Sequence, residues 1–167
     1  MTTTPGPGPA SPTTAEPHQS AVGRTTHTID ATPARVFDVL SDPDSYGEWV
    51  VGSKQVRDAD PDFPAPGSRF HHTVGFGPIT VSDHTVVEEM KRPHRIKLRA
   101  KVRPLGTAHV TLELKRKRRG KTEVTMIEDP ADPLSALVFF HPLTHLLVRG
   151  RNDESLRRLG ELATARG

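Results

Sequence analysis

The sequence predicts an α+β fold in which a curved, seven-stranded antiparallel sheet wraps around one long C-terminal helix. Residues 54–128 carry runs of alternating apolar and polar side chains, separated by turns of hairpin length. The helical patterns lie outside that stretch, at 33–49 and 142–165. Short turns make neighbouring strands antiparallel, and segregated strands and helices are typical of α+β proteins. The last helix must cover the apolar face of the sheet, and we expect a ligand-sized cavity between them.

The first strand, at 25–30, is followed by two short helices before the second strand begins. Each helix starts with a capping side chain and a proline, Thr32-Pro33 in the first and Asp42-Pro43 in the second. The capping oxygen accepts a hydrogen bond from the backbone of the first turn. Proline suits the first helical position because an N–H group there has no partner within the helix.

Six further strands follow from the period-two pattern. They are predicted at 54–58, 69–76, 79–89, 95–103, 108–115 and 122–128. The clearest is 95–103, where four apolar residues alternate strictly with Lys and Arg, so that one face belongs to the core and the other to water. Asp129-Pro130 is predicted to end the sheet.

The last helix is predicted over 142–165. Its apolar stripe is assigned to Leu143, Leu146, Leu147, Gly150, Leu156, Leu159 and Leu162. The apolar run before it, Leu134–Phe140, is too short to cross a bilayer. It is predicted to be a loop that packs over the cavity entrance, with a membrane-touching edge as the alternative.

Composition sets the limits of the folded part. Residues 1–23 consist largely of Pro, Gly, Thr and Ser and are predicted to be a disordered tail, so the folded domain is expected at 24–167. The chain has no cysteine, which excludes disulfides, thiolate metal sites and a cysteine nucleophile. Because no apolar stretch reaches the ~18 residues of a membrane span and no secretory leader is visible, a cytoplasmic location is expected.

The net charge of +3 conceals a local asymmetry. Residues 91–121 carry thirteen Lys and Arg against one acid, Glu113, while the rest of the chain carries 10 basic and 19 acidic residues. The densest part is a predicted hairpin turn that contains Lys115, Arg116, Lys117, Arg118 and Arg119. It indicates either contact with an anionic surface or, as we favour, a solvated turn that discourages edge pairing. No aromatic residue interleaves these charges, so nucleic acid is not an expected partner.

Three segments carry a resemblance to a known family: residues 28–43 with Tyr46 and Trp49, Gly67–Phe70 before the third strand, and Glu128–Pro130 after the last. They resemble the START-like helix-grip superfamily (SRPBCC), and within it the polyketide cyclase/dehydrase-like proteins, over roughly residues 25–163. That family includes lipid carriers, polyketide cyclases, hormone receptors, chaperone activators and oxygenase domains. The resemblance therefore implies a cavity for a hydrophobic ligand and leaves the activity open. The oxygenase branch is not expected, because the Cys/His arrangement of an iron–sulfur domain is missing.

Four polar residues occupy strand positions whose neighbours in the same phase are apolar: His72, Asp83, Thr85 and Glu128. If the phases hold, they point into the cavity, where a buried acid or imidazole can transfer protons in a cyclisation or a dehydration. Glu128 is the preferred catalytic residue, with His72 and Asp83 as partners. The alternatives are that a β-bulge turns one of them outward, or that they only bind a polar group of a ligand or a water.

The remaining positions predicted to line the cavity are apolar or small. They are Trp49, Phe70, Val74, Leu98, Val110, Leu112, Met126, Leu146, Leu147 and Gly150. We expect first a binding or carrier protein for a small hydrophobic molecule, such as a lipid or an aromatic polyketide. The second hypothesis is a cyclase or dehydratase, and the third is an interaction module for an anionic surface.

Cofactor chemistry has little support in the sequence. His141 and His145 have the spacing of two metal ligands on one helix face, but Pro142 between them starts the helix and no acidic ligand is near, so both are expected at the cavity rim. The glycine-rich phosphate loops, the GxSxG element and the HExxH metal motif are all missing. No metal, nucleotide or other cofactor is therefore expected.

Overall fold

The computed structural model describes residues 23–76, 79–102, 106–139 and 141–166. Apart from Gly23, the tail predicted for 1–23 lies outside the described residues. The strands are β1 (Gly23–Ile29), β2 (Ser53–Ala59), β3 (Arg69–Phe76), β4 (Ile79–Lys91), β5 (Arg95–Val102), β6 (Gly106–Arg116) and β7 (Thr122–Pro130). The helices are α1 (Pro33–Leu40), α2 (Tyr46–Trp49), α3 (Pro133–Phe139) and α4 (Pro142–Ala165), with 3-10 turns at Pro43–Ser45 and Arg118–Gly120.

The seven strands form one antiparallel sheet in the order β1-β7-β6-β5-β4-β3-β2. Strands β2 to β7 follow one another across the sheet, and β1 pairs with β7 at the edge opposite β2. The two short helices therefore carry the chain from one edge of the sheet to the other. With α4 packed on β1, α1 and α2, this arrangement confirms the predicted α+β fold, including the two helices between the first two strands.

The predicted capping residues start the two short helical segments. Thr32 Oγ1 accepts from the backbone N–H of Arg35 at 3.4 Å, and Asp42 Oδ1 accepts from that of Asp44 at 3.2 Å. The Ser45 hydroxyl ties the segments together by donating to the Val39 carbonyl at 2.7 Å. Both helical segments are consequently fixed at their starts, and their apolar faces turn inward.

The core lies between the sheet, α1 and the C-terminal half of α4. Leu156 and Leu159 are fully buried there. Gly160 permits close packing on β1, since a Cβ atom at that position would lie 3.3 Å from Cγ1 of Ile29. Ile96 of β5 and Leu112 of β6 close the core from the sheet side, and both are fully buried. The C-terminal half of α4 is therefore packed into the hydrophobic core.

The apolar stripe predicted for the first half of α4 is wrong. Leu146 and Leu147 are each 73% exposed, and Gly150 is exposed as well. An α-helix turns about 100° per residue. The buried face that contains Leu156 and Leu159 therefore passes through Val148 in the first half of α4 and leaves those three positions on the far side.

One element and one strand boundary also differ from the sequence prediction. Residues 134–139 of the run predicted as a loop over the cavity lie in helix α3, and Phe140 lies outside the described residues. Asp132 caps this helix, since its Oδ1 accepts from the backbone N–H of Ser135 at 2.8 Å. Strand β7 does not stop before Asp129 but continues to Pro130, which pairs with Ala108. Among the described residues β1 pairs with β7 only as far as Glu128, so Pro130 lies at a local edge of the sheet, where proline is tolerated.

Candidate ligand-binding cavity

A cavity of about 210 Å³, partly open to solvent, lies between the sheet and the N-terminal half of α4. Because strands β2 to β7 all contribute to its lining together with α2 and α4, the sheet must curve around the helix. Its lining residues are Tyr46, Trp49, Val50, Val51, Gly52, Ser53, Phe70, His72, Thr85, Leu98, Ala100, Gly106, Thr107, Ala108, Val110, Met126, Glu128, Ser135, Thr144, Val148, Arg151, Asn152 and Ser155. A cavity of roughly 150 Å³ is large enough to bind benzene, so this one has room for one to two rings.

Aromatic rings form one wall of the cavity. The Tyr46 ring centroid lies 5.0 Å from that of Trp49 and 4.6 Å from that of Phe70. Phe63 packs edge-on against Phe70, with the ring centroids 5.5 Å apart. The Tyr46 hydroxyl donates to the Leu40 carbonyl at 2.9 Å, which anchors α2 to the end of α1. These contacts hold Trp49 rigidly at the cavity surface.

A buried carboxylate faces the cavity from the other side. Glu128 is 3% exposed and accepts from Arg151 Nη2 through Oε1 and from Asn152 Nδ2 through Oε2, the latter at 3.0 Å. Arg151 also donates through Nε to Asn152 Oδ1 at 3.2 Å. Each polar side chain of this cluster thus has a partner within it, as a charge taken out of water requires.

His72 and Asp83 are paired across strands β3 and β4, and both are buried. His72 Nε2 lies 3.0 Å from the hydroxyl of Thr85, a contact in which either group can be the donor. Burial lowers the pKa of His72 below its ordinary value, although the charge of Asp83 opposes the shift. His72 is therefore held as a neutral imidazole at neutral pH.

Three polar atoms at the cavity are buried without a hydrogen-bond partner among the described residues. They are Nε1 of Trp49, Oγ of Ser53 and Nδ1 of His72. All three belong to the α2–β2–β3 side of the cavity. Polar groups therefore lie on both sides of a largely apolar space. Those around Glu128 are hydrogen-bonded to one another, whereas those on the α2–β2–β3 side have no partner among the described residues.

The structure brings most of the predicted cavity residues together. Those that line the cavity are Trp49, Phe70, His72, Thr85, Leu98, Val110, Met126 and Glu128. Leu112 lies in the core instead, and Asp83 is buried beside His72 without lining the cavity. The side chain of Val74 lies outside those the structure describes. Leu146, Leu147 and Gly150 lie on the outer face of α4, as described above.

Helix α4 contributes five residues to the cavity that the sequence pattern did not predict. These are Thr144, Val148, Arg151, Asn152 and Ser155. Their positions follow the pattern i, i+4, i+7, i+8 and i+11, which places them on one helix face, continuous with Leu159. This spacing is visible in the sequence. The prediction followed Leu146 and Leu147 instead, which lie on the opposite face of the helix.

The β6–α3 end of the cavity depends on a glycine. Gly106 has φ +104°, and a Cβ atom there would lie 2.7 Å from Asp132 Oδ1 and 2.9 Å from the Ser135 backbone nitrogen. Asp132 Oδ2 accepts from the backbone N–H of Thr107 at 2.6 Å. The hydrogen bond from Ser135 holds the pKa of Asp132 below its usual value. A residue without a side chain therefore lets α3 close onto the end of β6.

Much of the basic outer face of the sheet is paired. Glu88 lies within 3.6 Å of Arg99 and within 3.3 Å of Lys97. In the predicted basic turn, Lys117 pairs with Glu123 at 2.7 Å. The other four members, Lys115, Arg116, Arg118 and Arg119, are exposed. His141 is exposed at the N-cap of α4, and the side chain of His145 lies outside those described.

Neither a membrane span nor a metal cluster is found in the described ranges. Across residues 23–76, 79–102, 106–139 and 141–166, none of the helices is both long and apolar enough to cross a bilayer. Within the same ranges, no three His, Asp or Glu residues are grouped so that they could hold a metal ion.

A sheet that grips a helix around an internal cavity defines a helix-grip protein. The chain belongs to the family described as polyketide cyclase/dehydrase and lipid transport, whose model matches residues 20–164. This confirms the resemblance to the SRPBCC superfamily seen in the sequence. The family implies a hydrophobic ligand and leaves its identity open.

Solved structures share the fold at low sequence identity. A Chromobacterium violaceum protein is 15% identical with a TM-score of 0.62, and the match covers 83% of this chain and 94% of that one. A conserved Geobacillus kaustophilus protein is 13% identical with a TM-score of 0.66, covering 85% and 94%. The protein named Ara h 8.0201 is 11% identical with a TM-score of 0.64, covering 86% and 97%. A search of the curated proteins finds no match.

Proposed function

We propose that the protein binds and carries a small hydrophobic molecule in this cavity. The observation that carries the proposal is a 210 Å³ space with a mostly apolar lining, into which one self-paired polar cluster projects. Apolar walls drive the ligand out of water, and a few placed polar groups orient it. Glu128, Arg151 and Asn152 are the groups that would hold a polar end.

The volume narrows the ligand class. Pockets for drug-sized ligands are typically about 300–1,000 Å³, so this cavity favours a one- or two-ring aromatic molecule or a short acyl chain. A phospholipid with two long chains would not be enclosed. An aromatic polyketide-like compound with fused rings fits better than a whole membrane lipid.

The first test uses the single tryptophan of the chain as the reporter. Trp49 is 2% exposed and lines the cavity, so a two-ring probe such as 1-naphthol should change its fluorescence on binding. The variant Ala108→Leu fills the cavity and should abolish the saturable signal. The control Leu147→Ala removes an exposed leucine and should leave it intact. Identical titrations of all three proteins would contradict the proposal.

A second, catalytic function is favoured by the state of His72. A neutral imidazole with an unpaired nitrogen at a cavity wall can accept a proton, as a cyclase or dehydratase requires. His72 and Glu128 lie on β3 and β7, four positions apart in the sheet order, on opposite sides of the same cavity. They would therefore act on different ends of a ligand. Asp83 would act only through His72, as a positioning residue.

The catalytic function is tested separately from binding. With a candidate polyketide substrate, His72→Ala and Glu128→Gln should abolish turnover while the dissociation constant changes by no more than a few-fold. Turnover that persists in both variants would rule out these residues as the catalytic ones. Binding without any turnover would leave the carrier function standing.

Contact with an anionic surface is a further proposal. It is supported by the four exposed basic side chains of the β6–β7 turn. Binding to phosphatidylglycerol vesicles should be strongest at low salt and should weaken in a variant with Arg118 and Arg119 replaced by Ser. Absence of vesicle binding at low salt would contradict the proposed contact with an anionic surface.

The cytoplasmic location stays a prediction.

A further inference from the structure

The α2–β2–β3 side of the cavity holds polar groups that the described part of the chain leaves unpaired. Trp49 is 2% exposed and His72 is 6% exposed, and neither Nε1 of Trp49 nor Nδ1 of His72 has a hydrogen-bond partner among the described residues. The hydroxyl oxygen of Ser53 is buried and unpaired in the same sense. Since buried polar groups are nearly always hydrogen-bonded, three such groups on residues that line one cavity point to a partner other than the described residues, and a ligand in the cavity can supply it.

The three groups are neighbours by topology. Trp49 ends α2, and α2 packs directly on β2, which begins at Ser53. Across the β2–β3 ladder, Ser53 pairs with Val74 and Val56 pairs with His72. His72 is thus two residues along β3 from the partner of Ser53. All three residues line the same cavity, so one ligand group placed against this wall can approach each of them.

The chemistry of these groups selects the ligand atom. The indole N–H of tryptophan can donate but cannot accept. The Ser53 hydroxyl and Nδ1 of His72 can each donate or accept a hydrogen bond, so both can donate to the same acceptor as Trp49. The partner must therefore be a hydrogen-bond acceptor, and in an apolar molecule that is an oxygen such as that of a ketone.

We propose that Trp49, Ser53 and His72 form an acceptor-binding subsite that takes a carbonyl oxygen of the ligand and orients it within the cavity. The subsite rests on the proposed carrier function. It lies on strands far from β7 in the sheet order, so it is distinct from the Glu128 cluster. A ligand held by its carbonyl at Trp49 extends toward Glu128 with its other end.

Two probes of nearly equal size isolate the contribution of the carbonyl. 1-Tetralone and tetralin share the same two-ring skeleton and differ by one ketone oxygen. Their dissociation constants are measured by titration calorimetry with the wild type, Trp49→Phe and Ser53→Ala. Trp49→Phe removes the N–H donor together with part of the ring, and the lost ring contact acts on both probes alike. The ratio of the two affinities therefore isolates the donor, and 1-tetralone should lose about tenfold more affinity than tetralin. Ser53→Ala should act in the same direction by a smaller factor.

The thermal midpoint of each variant verifies folding, and Ser53→Ala keeps the test informative if Trp49→Phe does not fold. If both probes bind but neither variant changes their ratio of affinities, the subsite is overturned while the carrier function stands. The same conclusion follows if the unpaired groups only hold water. If neither probe binds the wild type, the carrier function itself fails.

Discussion

The two halves of α4 perform different tasks, although they belong to one continuous helix. In the C-terminal half, Leu156 and Leu159 are fully buried against β1 and α1. In the N-terminal half, Val148 and Arg151 border the cavity, while Leu147 on the opposite side is 73% exposed. The helix is therefore gripped firmly at one end and spaced away from the sheet at the other. Core packing and cavity lining are thus assigned to different halves of one helix.

The largest effect is expected from Leu159→Ala in the gripped half. Removing a fully buried leucine leaves a cavity in a close-packed core and should lower the free energy of unfolding by about 2–5 kcal/mol. Urea unfolding measures it. The control Leu147→Ala removes the same atoms from an exposed site and should stay within about 0.5 kcal/mol of the wild type. Equal losses in the two variants would contradict the division of α4.

The next effect is expected at the spaced end, from Gly106→Ala. The new methyl group would clash with Asp132 and Ser135, and φ +104° is strained for any residue with a side chain. We expect a loss of about 1–3 kcal/mol in the free energy of unfolding. Gly150→Ala is the matched control, since a Cβ atom there meets nothing within 4 Å. It should be neutral or slightly stabilising, because alanine favours helix.

A smaller effect is expected from breaking the Glu128–Arg151 pair. Arg151→Met leaves the buried carboxylate with Asn152 alone and should destabilise the protein by about 1–3 kcal/mol. The side chain of Arg151 is 36% exposed, which places the loss toward the lower end.

Glu128→Gln alone should cost less, because the amide keeps a hydrogen-bond acceptor without a buried charge. In the double variant the two losses should not add, since the second change removes the partner that the first left unpaired. Urea unfolding of the four proteins gives the coupling. Additive losses would show that the pair does not stabilise the fold.

The most subtle prediction concerns the pH dependence of stability. Burial lowers the pKa of His72 below 6.5, so the unfolded chain takes up a proton at this imidazole before the folded protein does. Stability should therefore fall as the pH decreases through about 6.5, and the slope that this histidine contributes should fade within about one pH unit above that value. His72→Asn should flatten the acid limb.

The groups that act on His72 define the controls for this measurement. The charge of Asp83 raises its pKa, whereas His84, Arg57 and His71 lower it. Burial also lowers the pKa of His84, which must contribute its own slope. The readout is therefore the difference in slope between the wild type and His72→Asn from pH 5 to 8. Parallel curves would show that His72 titrates alike in both states.

Several features of the fold and of the cavity are predictable from local sequence patterns, whereas the orientation of the first half of α4 is not. The strict alternation at 95–103 predicted β5 because a strand that is solvated on one face must alternate. Thr32-Pro33 and Asp42-Pro43 predicted the starts of two helical segments because capping is a local interaction. Strand phase brought His72, Thr85 and Glu128 to the cavity wall. Each of these is decided by residues within a few positions of one another.

The sequence by itself thus determined the seven strands, the two short helices after the first of them, the long last helix and the family, but not helix α3. Tertiary structure alone decided which face of α4 meets the sheet, because a helix with leucines all around it satisfies several phases equally. It also decided the pairing of Glu128 with Arg151, which are 23 positions apart in the chain. Local periodicity therefore predicts most of the fold, whereas the cavity depends on long-range contacts that no local pattern contains.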